Sequence, residues 1–244
     1  MSKNYKVQIY DQYASNMQGA GPVLDLQGAR KWGKAYKYYL REWLPSGRNA
    51  RILECACGYG RFLQFLKDEG YEDVSAVDIS PAQVAVASQV GYPVLCASVL
   101  DYLKGCENQF DLIVAIDLIE HLQKDEALQF LDSCHAALKS GGQLILQTPN
   151  ASSAWGMDSR YNDFTHEICF NPRLLSRIFG LKRFTDIRTR EPGPVPYGYS
   201  ILSSLRFALW QLLRAGMIAR TIIETGGRGC TIFTRNFLIA GRKA

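Results

Sequence analysis

Along the chain, short unbroken apolar runs alternate with stretches in which apolar residues recur every three or four positions. Strands interleaved with helices give this pattern, which predicts an α/β domain built on a largely parallel sheet. The first run leads into Glu54-Cys55-Ala56-Cys57-Gly58-Tyr59-Gly60. Phe62, Leu63, Phe65 and Leu66 follow at helical spacing, so strand, tight turn and helix are expected in succession. A second strand is predicted over 73–78 and a third over 93–97. Ser80 caps the helix between them, and Pro81 opens it toward Val90. Apart from Asp111, residues 110–116 are apolar, as a central strand covered on both faces should be. Beyond it the pattern predicts a helix over 124–139 stopped by Gly141-Gly142, a strand over 143–148, a helix over 172–180 capped by Asn171, and strands over 183–190 and 231–241.

Three segments stand outside this alternation. Residues 1–28 are polar, with Tyr5, Tyr10, Tyr13 and a Gly19-Ala20-Gly21-Pro22 breaker, and read as an arm. Residues 29–44 form a helix with Trp32, Tyr36, Tyr39 and Trp43 on one side and Arg30, Lys34, Lys37 and Arg41 on another. Residues 191–228 begin with the stiff linker Glu191-Pro192-Gly193-Pro194-Val195-Pro196. They continue as a helical segment over 200–223, with a break expected near Gly216. Arg206, Arg214 and Arg220 interrupt it too often for a bilayer span, which needs about 20 mainly apolar residues. A lid or a homodimer helix is the expectation, with a peripheral membrane contact as the alternative. The chain thus divides into an arm (1–28), a main domain (29–190 plus 229–244) and a helical appendage (191–228).

Composition narrows the classes. The 244 residues are 47% hydrophobic, enough for a full core. Lys and Arg exceed Asp and Glu by 28 to 23, a net charge of +5, and no dense basic run accompanies it, so a nucleic-acid partner is not expected. The N-terminus has no apolar segment of signal-peptide length, which places the expected protein in the cytoplasm, or at the inner membrane face if the appendage touches lipid. Seven cysteines without Cys-x-x-Cys pairs predict reduced thiols rather than a disulfide framework or zinc knuckle.

A strand-turn-helix unit binds its ligand at the carboxyl end of the strand. A dinucleotide would require a third glycine where Leu63 stands, and Glu54 lies close to where a pyrophosphate would be. A carboxylate there suits a ligand with a cationic end. The stretch Glu54-x-x-Cys57-Gly58-Tyr59-Gly60 resembles the first motif of class I S-adenosylmethionine-dependent methyltransferases. Asp78, ending the second strand 18 residues past Gly60, stands where an acid can accept both ribose hydroxyls. The resemblance implies a Rossmann-like, doubly wound, seven-stranded sheet whose last strand is antiparallel, with the helical insertion between strands six and seven. It also implies S-adenosylmethionine as cofactor and Glu54, Cys57, Gly58, Gly60, Asp78, Ile79, Ser98, Val99 and Asp117 as its contacts.

Methyl transfer to a hydroxyl needs a base, and histidine has the pKa for it. His135 lies mid-helix and reads as structural. His121 follows the central strand and His166 lies in the loop Asp163-Phe164-Thr165-His166, so both reach the cofactor edge and either can be the base. Asp117, Glu120 and His121 have i, i+3, i+4 spacing, and with His166 they could hold Mg²⁺ or Mn²⁺. The Asp-x-x-Glu-His pattern resembles that of methyltransferases with a metal at this place, among them small-RNA 2′-O-methyltransferases and ubiquinone O-methyltransferases. The Asn/Asp-Pro-Pro-Tyr motif of base-amine methylation is absent. Together with the cationic apolar appendage, the site resembles bacterial methyltransferases of surface-polysaccharide and glycolipid assembly. That implies an O-methyltransferase acting on a sugar hydroxyl, on a nucleotide- or lipid-linked carrier. A phenolic or quinone-like acceptor, or a non-catalytic cofactor-binding module, is the alternative.

Overall fold

The computed structural model describes residues 23–244, so residues 1–22 of the arm expected over 1–28 lie outside the described residues. Helix α1 (Leu26–Leu40) starts three residues earlier than the pattern predicts because the Asp25 carboxylate caps it, accepting from the N–H of Gly28 at 2.9 Å. Tyr36, Tyr39 and, beyond the helix, Trp43 are buried, and Trp32 stacks on Tyr36. Strand β1 (Ile52–Cys55) turns into α2 (Arg61–Asp68), followed by β2 (Val74–Asp78), α3 (Pro81–Ala87), β3 (Val94–Cys96), α4 (Val99–Leu103) and β4 (Phe110–Ile116). A 3-10 turn, Ile119–His121, leads to α5 (Lys124–Ala137), then β5 (Leu138–Pro149), α6 (Gly156–Tyr161), α7 (Pro172–Leu181), β6 (Phe184–Arg190), α8 (Ile201–Thr225) and β7 (Asn236–Lys243).

The seven strands form one sheet in the order β3-β2-β1-β4-β5-β7-β6, with β7 antiparallel to both neighbours and the other pairs parallel. Side chains of α1, α2 and α3 (Tyr36, Leu40, Phe62, Leu66, Val86) cover one face with Ile52, Leu112 and Leu238 of the strands. Those of α4, α5 and α7 (Leu103, Phe130, Leu131, Leu175, Phe179) cover the other with Leu53, Ile113 and Phe237. Burial on both faces explains why β1 and β4 are apolar except at Glu54 and Asp111. The strand order reverses between β1 and β4, and in an open α/β sheet the ligand crevice forms at the carboxyl ends flanking that switch point.

Three expected boundaries move. α5 ends at Ala137 rather than 139 because Leu138 turns extended (φ −70°, ψ 143°) and pairs with Phe110, so Gly141-Gly142 lies within an irregular part of β5. β7 begins at Asn236 rather than 231. The carbonyls of Ile232 and Thr234 are engaged by the Asn150 amide, both at 3.1 Å, which holds that stretch as a loop. α8 passes through Gly216 unbroken, since one helical glycine costs only about 1 kcal/mol.

Candidate active site

The turn after β1 is shaped by three residues with positive φ: Ala56 at 56°, Gly58 at 53° and Gly60 at 79°. The two glycines have different reasons. A Cβ on Gly58 would meet nothing within 4 Å, and Gly58 lines a cleft of about 360 Å³ at the carboxyl ends of β1, β2 and β4. A Cβ on Gly60 would stand 3.0 Å from Ala87 Cα and 3.2 Å from Val90 Cγ2, and Gly60 does not line the cleft. The missing side chain of Gly60, which is expected as a cofactor contact, leaves room for α3 beside the start of α2.

The other residues expected to contact the cofactor, Glu54, Cys57, Asp78, Ile79, Ser98, Val99 and Asp117, all line this cleft. Asp78 accepts from the N–H of Gly58 (Oδ2, 2.9 Å) and of Ser80 (Oδ1, 2.9 Å), which fixes both oxygens at the strand end. Burial raises its pKa, opposed by the N–H groups of Ser80, Gly58 and Ile79. Glu54 is buried, and its Oε2 has no hydrogen-bond partner among the described residues. Burial, then the charge of Asp78, pushes its pKa well above the usual range, opposed by the backbone N–H of Leu63. An unpartnered buried carboxylate oxygen in a cleft is costly unless a ligand supplies a donor. An ammonium group fits that need, a phosphate does not. Ile79 is more than half exposed, an apolar side chain beside the carboxylate of Asp78, as a base-and-ribose ligand requires. Trp32, Tyr59 and Gln83 also line the cleft, and sequence reasoning missed them. The first arrives from α1, far away in the chain.

A second, larger cavity of about 1140 Å³ adjoins the first, and Trp32 and Asp117 line both. Its walls include His166, Gln147, Tyr36, Trp155 and Tyr199, together with Arg206, Trp210 and Arg220 of α8. The expected helical turn from Asp117 to His121 does not form as one unit. Asp117 has φ 54°, outside the 3-10 turn that starts at Ile119, so its side chain leaves the row of Glu120 and His121. It accepts instead from Gln147 Nε2 at 3.0 and 3.1 Å, and Gln147 Oε1 accepts from the hydroxyl of Tyr36. Crowding by protein raises the Asp117 pKa, opposed by Gln147 and by the nearby His166.

The structure does unite Glu120, His121 and His166, whose ligand atoms all lie within 4.8 Å of one another; Asp117, expected as a fourth ligand, is not in that group. The docking is local. The N–H groups of Glu167 (2.7 Å) and Ile168 (3.2 Å) donate to the Glu120 carbonyl, tying the His166 loop to the turn after β4. Glu120 is buried and accepts from the Thr148 hydroxyl at 3.0 Å through Oε2, while Oε1 has no partner among the described residues. Burial, then the charge of Asp117, raises its pKa well above the usual range.

Hydrogen-bond partners fix both imidazoles. His166 Nδ1 lies 2.6 Å from the Ser159 carbonyl, which can only accept, so Nδ1 carries a proton, and in the neutral ring the lone pair is on Nε2. The Thr165 hydroxyl donates to Asp163 Oδ1 at 2.7 Å, so it accepts from His121 Nδ1 at 2.8 Å. The two rings are 4.7 Å apart. His166 lines the larger cavity and His121 the smaller cleft. His135 packs edge-on against Phe184 at 5.2 Å, away from the site.

Comparison with known proteins places the fold in a family. A methyltransferase domain family profile matches residues 25–182. The ubiquinone biosynthesis O-methyltransferase of Xylella fastidiosa (strain 9a5c) is 28% identical over 166 residues, covering 63% of this chain and 64% of that protein. Its counterpart in Xanthomonas axonopodis pv. citri is 32% identical over 118 residues, covering 45% and 46%. The matched stretch thus spans less than two thirds of these relatives. Among solved structures, a SAM dependent methyltransferase from Archaeoglobus fulgidus superposes with a TM-score of 0.63 at 21% identity, covering 88% of this chain and 94% of that one. An O-methyltransferase family protein from Burkholderia thailandensis superposes with a TM-score of 0.61 at 13% identity, covering 98% and 61%. At these identities the superpositions speak for the fold alone, while the profile spans well over half of the chain. The chain belongs to the methyltransferase domain family.

Proposed function

We propose that this chain is an S-adenosylmethionine-dependent O-methyltransferase whose acceptor is a phenolic, quinone-like hydroxyl in the larger cavity. The observation that carries this is His166, which faces that cavity with Nδ1 committed to the Ser159 carbonyl and Nε2 left as a base, close to the Asp117 that borders both cavities. The smaller cleft fits the cofactor: Glu54 Oε2 supplies an acceptor for an ammonium, Asp78 for ribose hydroxyls, and Ile79, Ser98 and Val99 a wall for a base. When bound, the cofactor supplies a methyl group on a positively charged sulfur. The chain's own work is positional and protolytic. His166 Nε2 takes the hydroxyl proton as the acceptor oxygen attacks, and Trp32 and α8 exclude water from the junction. In this reading residues 191–228 are the lid of the acceptor cavity. The ubiquinone-pathway relatives favour a phenolic acceptor over the saccharide that the sequence resemblance implied.

A second reading has a specific observation behind it. Glu120, His121 and His166 offer three ligand atoms, including the unpartnered Glu120 Oε1, and would suit Mg²⁺ or Mn²⁺. An ion there would lower the pKa of the acceptor hydroxyl, and His166 would be a ligand rather than a base. Turnover of labelled methyl donor with catechols and with free glycosides, each with and without chelator, decides among these. The proposal expects a methylated catechol and full activity in chelator. Activity only with added Mg²⁺ or Mn²⁺ would establish the metal reading, and methylation of glycosides alone would replace the acceptor.

A further inference from the structure

Helix α8 is a 25-residue element, about 37 Å long, and Ser203 is its only buried residue. Ser203, Phe207, Trp210, Arg214, Met217 and Thr221, all buried or half-buried, follow 4-3 spacing and face the body of the protein. Ser203 Oγ bonds the Val195 backbone at 2.8 and 3.1 Å, Trp210 Nε1 donates to Glu191 at 2.9 Å, and Arg214 pairs with Glu191 at 3.1 Å. The opposite side carries a second row at the same spacing, from Ile201 through Leu205, Ala208, Leu212, Ala215 and Ala219 to Ile222. Every member of this row is exposed, Ile201 by 92% and Leu212 by 73%. Leu202, Leu209 and Ile223 border it, also exposed.

A strict 4-3 apolar repeat over three heptads is the seam of a helix that packs on another helix. We propose that the outer seam of α8 pairs antiparallel with the same seam of a second copy of this chain. Self-complementarity carries the choice of partner. If residue n faces residue 427 minus n of the second copy, Leu205 meets Ile222, Ala208 meets Ala219 and Leu212 meets Ala215. Every layer is then apolar, and the alanines let the helices approach closely. The outer seam itself carries no charged residue: Arg206, Arg214, Arg220 and Glu224 all lie off it, and Arg214 is paired with Glu191.

A large aliphatic side chain removes roughly 60–120 Å² from water when buried. The eight exposed leucines and isoleucines of α8 therefore bring an interface on the order of 500 Å² per copy before the alanines are added, comparable to the roughly 800 Å² of a standard interface. A lipid surface fits less well. An interfacial helix keeps its cations free for headgroups. Here Arg214 is spent on Glu191, Arg206 and Arg220 line the acceptor cavity, and α8 has no lysine. Residues 1–22 contain no leucine and no heptad, so their sequence offers no matching seam. Because the inner face of α8 walls the acceptor cavity, pairing would brace that wall from outside.

Light scattering on the eluting full-length protein, at micromolar concentration, tests this. The expected mass is twice the 27.4 kDa of the chain, and Leu212→Glu should elute at 27.4 kDa with unchanged circular dichroism. A double variant L205E/I222E should be monomeric, as should L205K/I222K, and their mixture should restore the doubled mass. A wild type that runs at single mass, with or without sedimenting on phosphatidylcholine–phosphatidylglycerol vesicles, overturns the proposal. So does a Leu212→Glu variant that stays dimeric, or folded charge variants that fail to pair when mixed.

Discussion

Glu54→Gln should move stability and cofactor affinity in opposite directions. In the folded chain Glu54 is buried beside Asp78 with Oε2 unpartnered, and burial raises its pKa well above the usual range. The sign follows from linkage. Below the unfolded pKa of about 4.3 both states are protonated and the group costs nothing. As pH rises past that value the unfolded chain ionises freely while the folded chain resists. Stability therefore falls by about 1.4 kcal/mol for each unit of the raise, until the folded pKa is reached. Glutamine keeps the shape and an oxygen for the Leu63 N–H but cannot ionise. The ligand-free variant should thus be more stable than wild type at neutral pH, and equal to it near pH 4. An ammonium on Glu54 is a charge-assisted bond worth about 1.5–3 kcal/mol, so the same variant should bind S-adenosylhomocysteine roughly 10- to 150-fold more weakly. Thermal melts of ligand-free protein across pH and calorimetric titration read the two effects separately. A variant less stable than wild type at neutral pH, with undiminished affinity, would refute the assignment of Glu54 as an acceptor held in reserve for the ligand.

Gly60→Ala should cost about 1–3 kcal/mol of stability through left-handed strain and collision with Ala87, read as a lowered Tm. Gly58→Ala, facing open space, should melt nearer to wild type but bind the cofactor poorly, because its methyl group enters the cleft. His166→Ala should lower kcat by about 10²- to 10⁴-fold with cofactor affinity nearly unchanged, as judged by steady-state kinetics beside calorimetry. If the change raised KM alone, His166 would be positioning the acceptor rather than taking its proton. Gln147→Leu should cost about 1–3 kcal/mol in denaturant titrations, since it strips partners from both the Tyr36 hydroxyl and Asp117. A neutral outcome would mean that water replaces the amide.

What could be read from the chain was what neighbours in sequence decide. Glu54 to Gly60 is a local strand-turn-helix, and Asp78 ends the next strand, so both carboxylates fell on the cleft as expected. Helical periodicity put Trp32, Tyr36, Tyr39 and Trp43 on one side, and of these Tyr36 and Tyr39 within the helix and Trp43 just beyond it are buried. The packing reason for Gly60 was not legible, because a turn motif does not reveal what a glycine faces, and its neighbour Ala87 comes from α3. Asp117 was placed with Glu120 and His121 because i, i+3, i+4 spacing presumes a helix; its left-handed φ and the Gln147 amide from β5 decide otherwise. The larger cavity was not legible, since α1, β5, the His166 loop and α8 meet there only through the tertiary fold. The shift in the start of β7 has the same origin, because the Asn150 side chain that holds residues 232 and 234 comes from the end of β5.

The central claim is that the cleft bounded by Glu54, Gly58 and Asp78 holds the methyl donor. Calorimetric titration with S-adenosylhomocysteine and, separately, with NAD tests it most directly. The account predicts one S-adenosylhomocysteine per chain, silence with NAD, and a loss of about 1.5–3 kcal/mol in Asp78→Ala from the missing charged hydrogen bonds. Tight NAD binding, or S-adenosylhomocysteine affinity that Asp78→Ala leaves untouched, would contradict it.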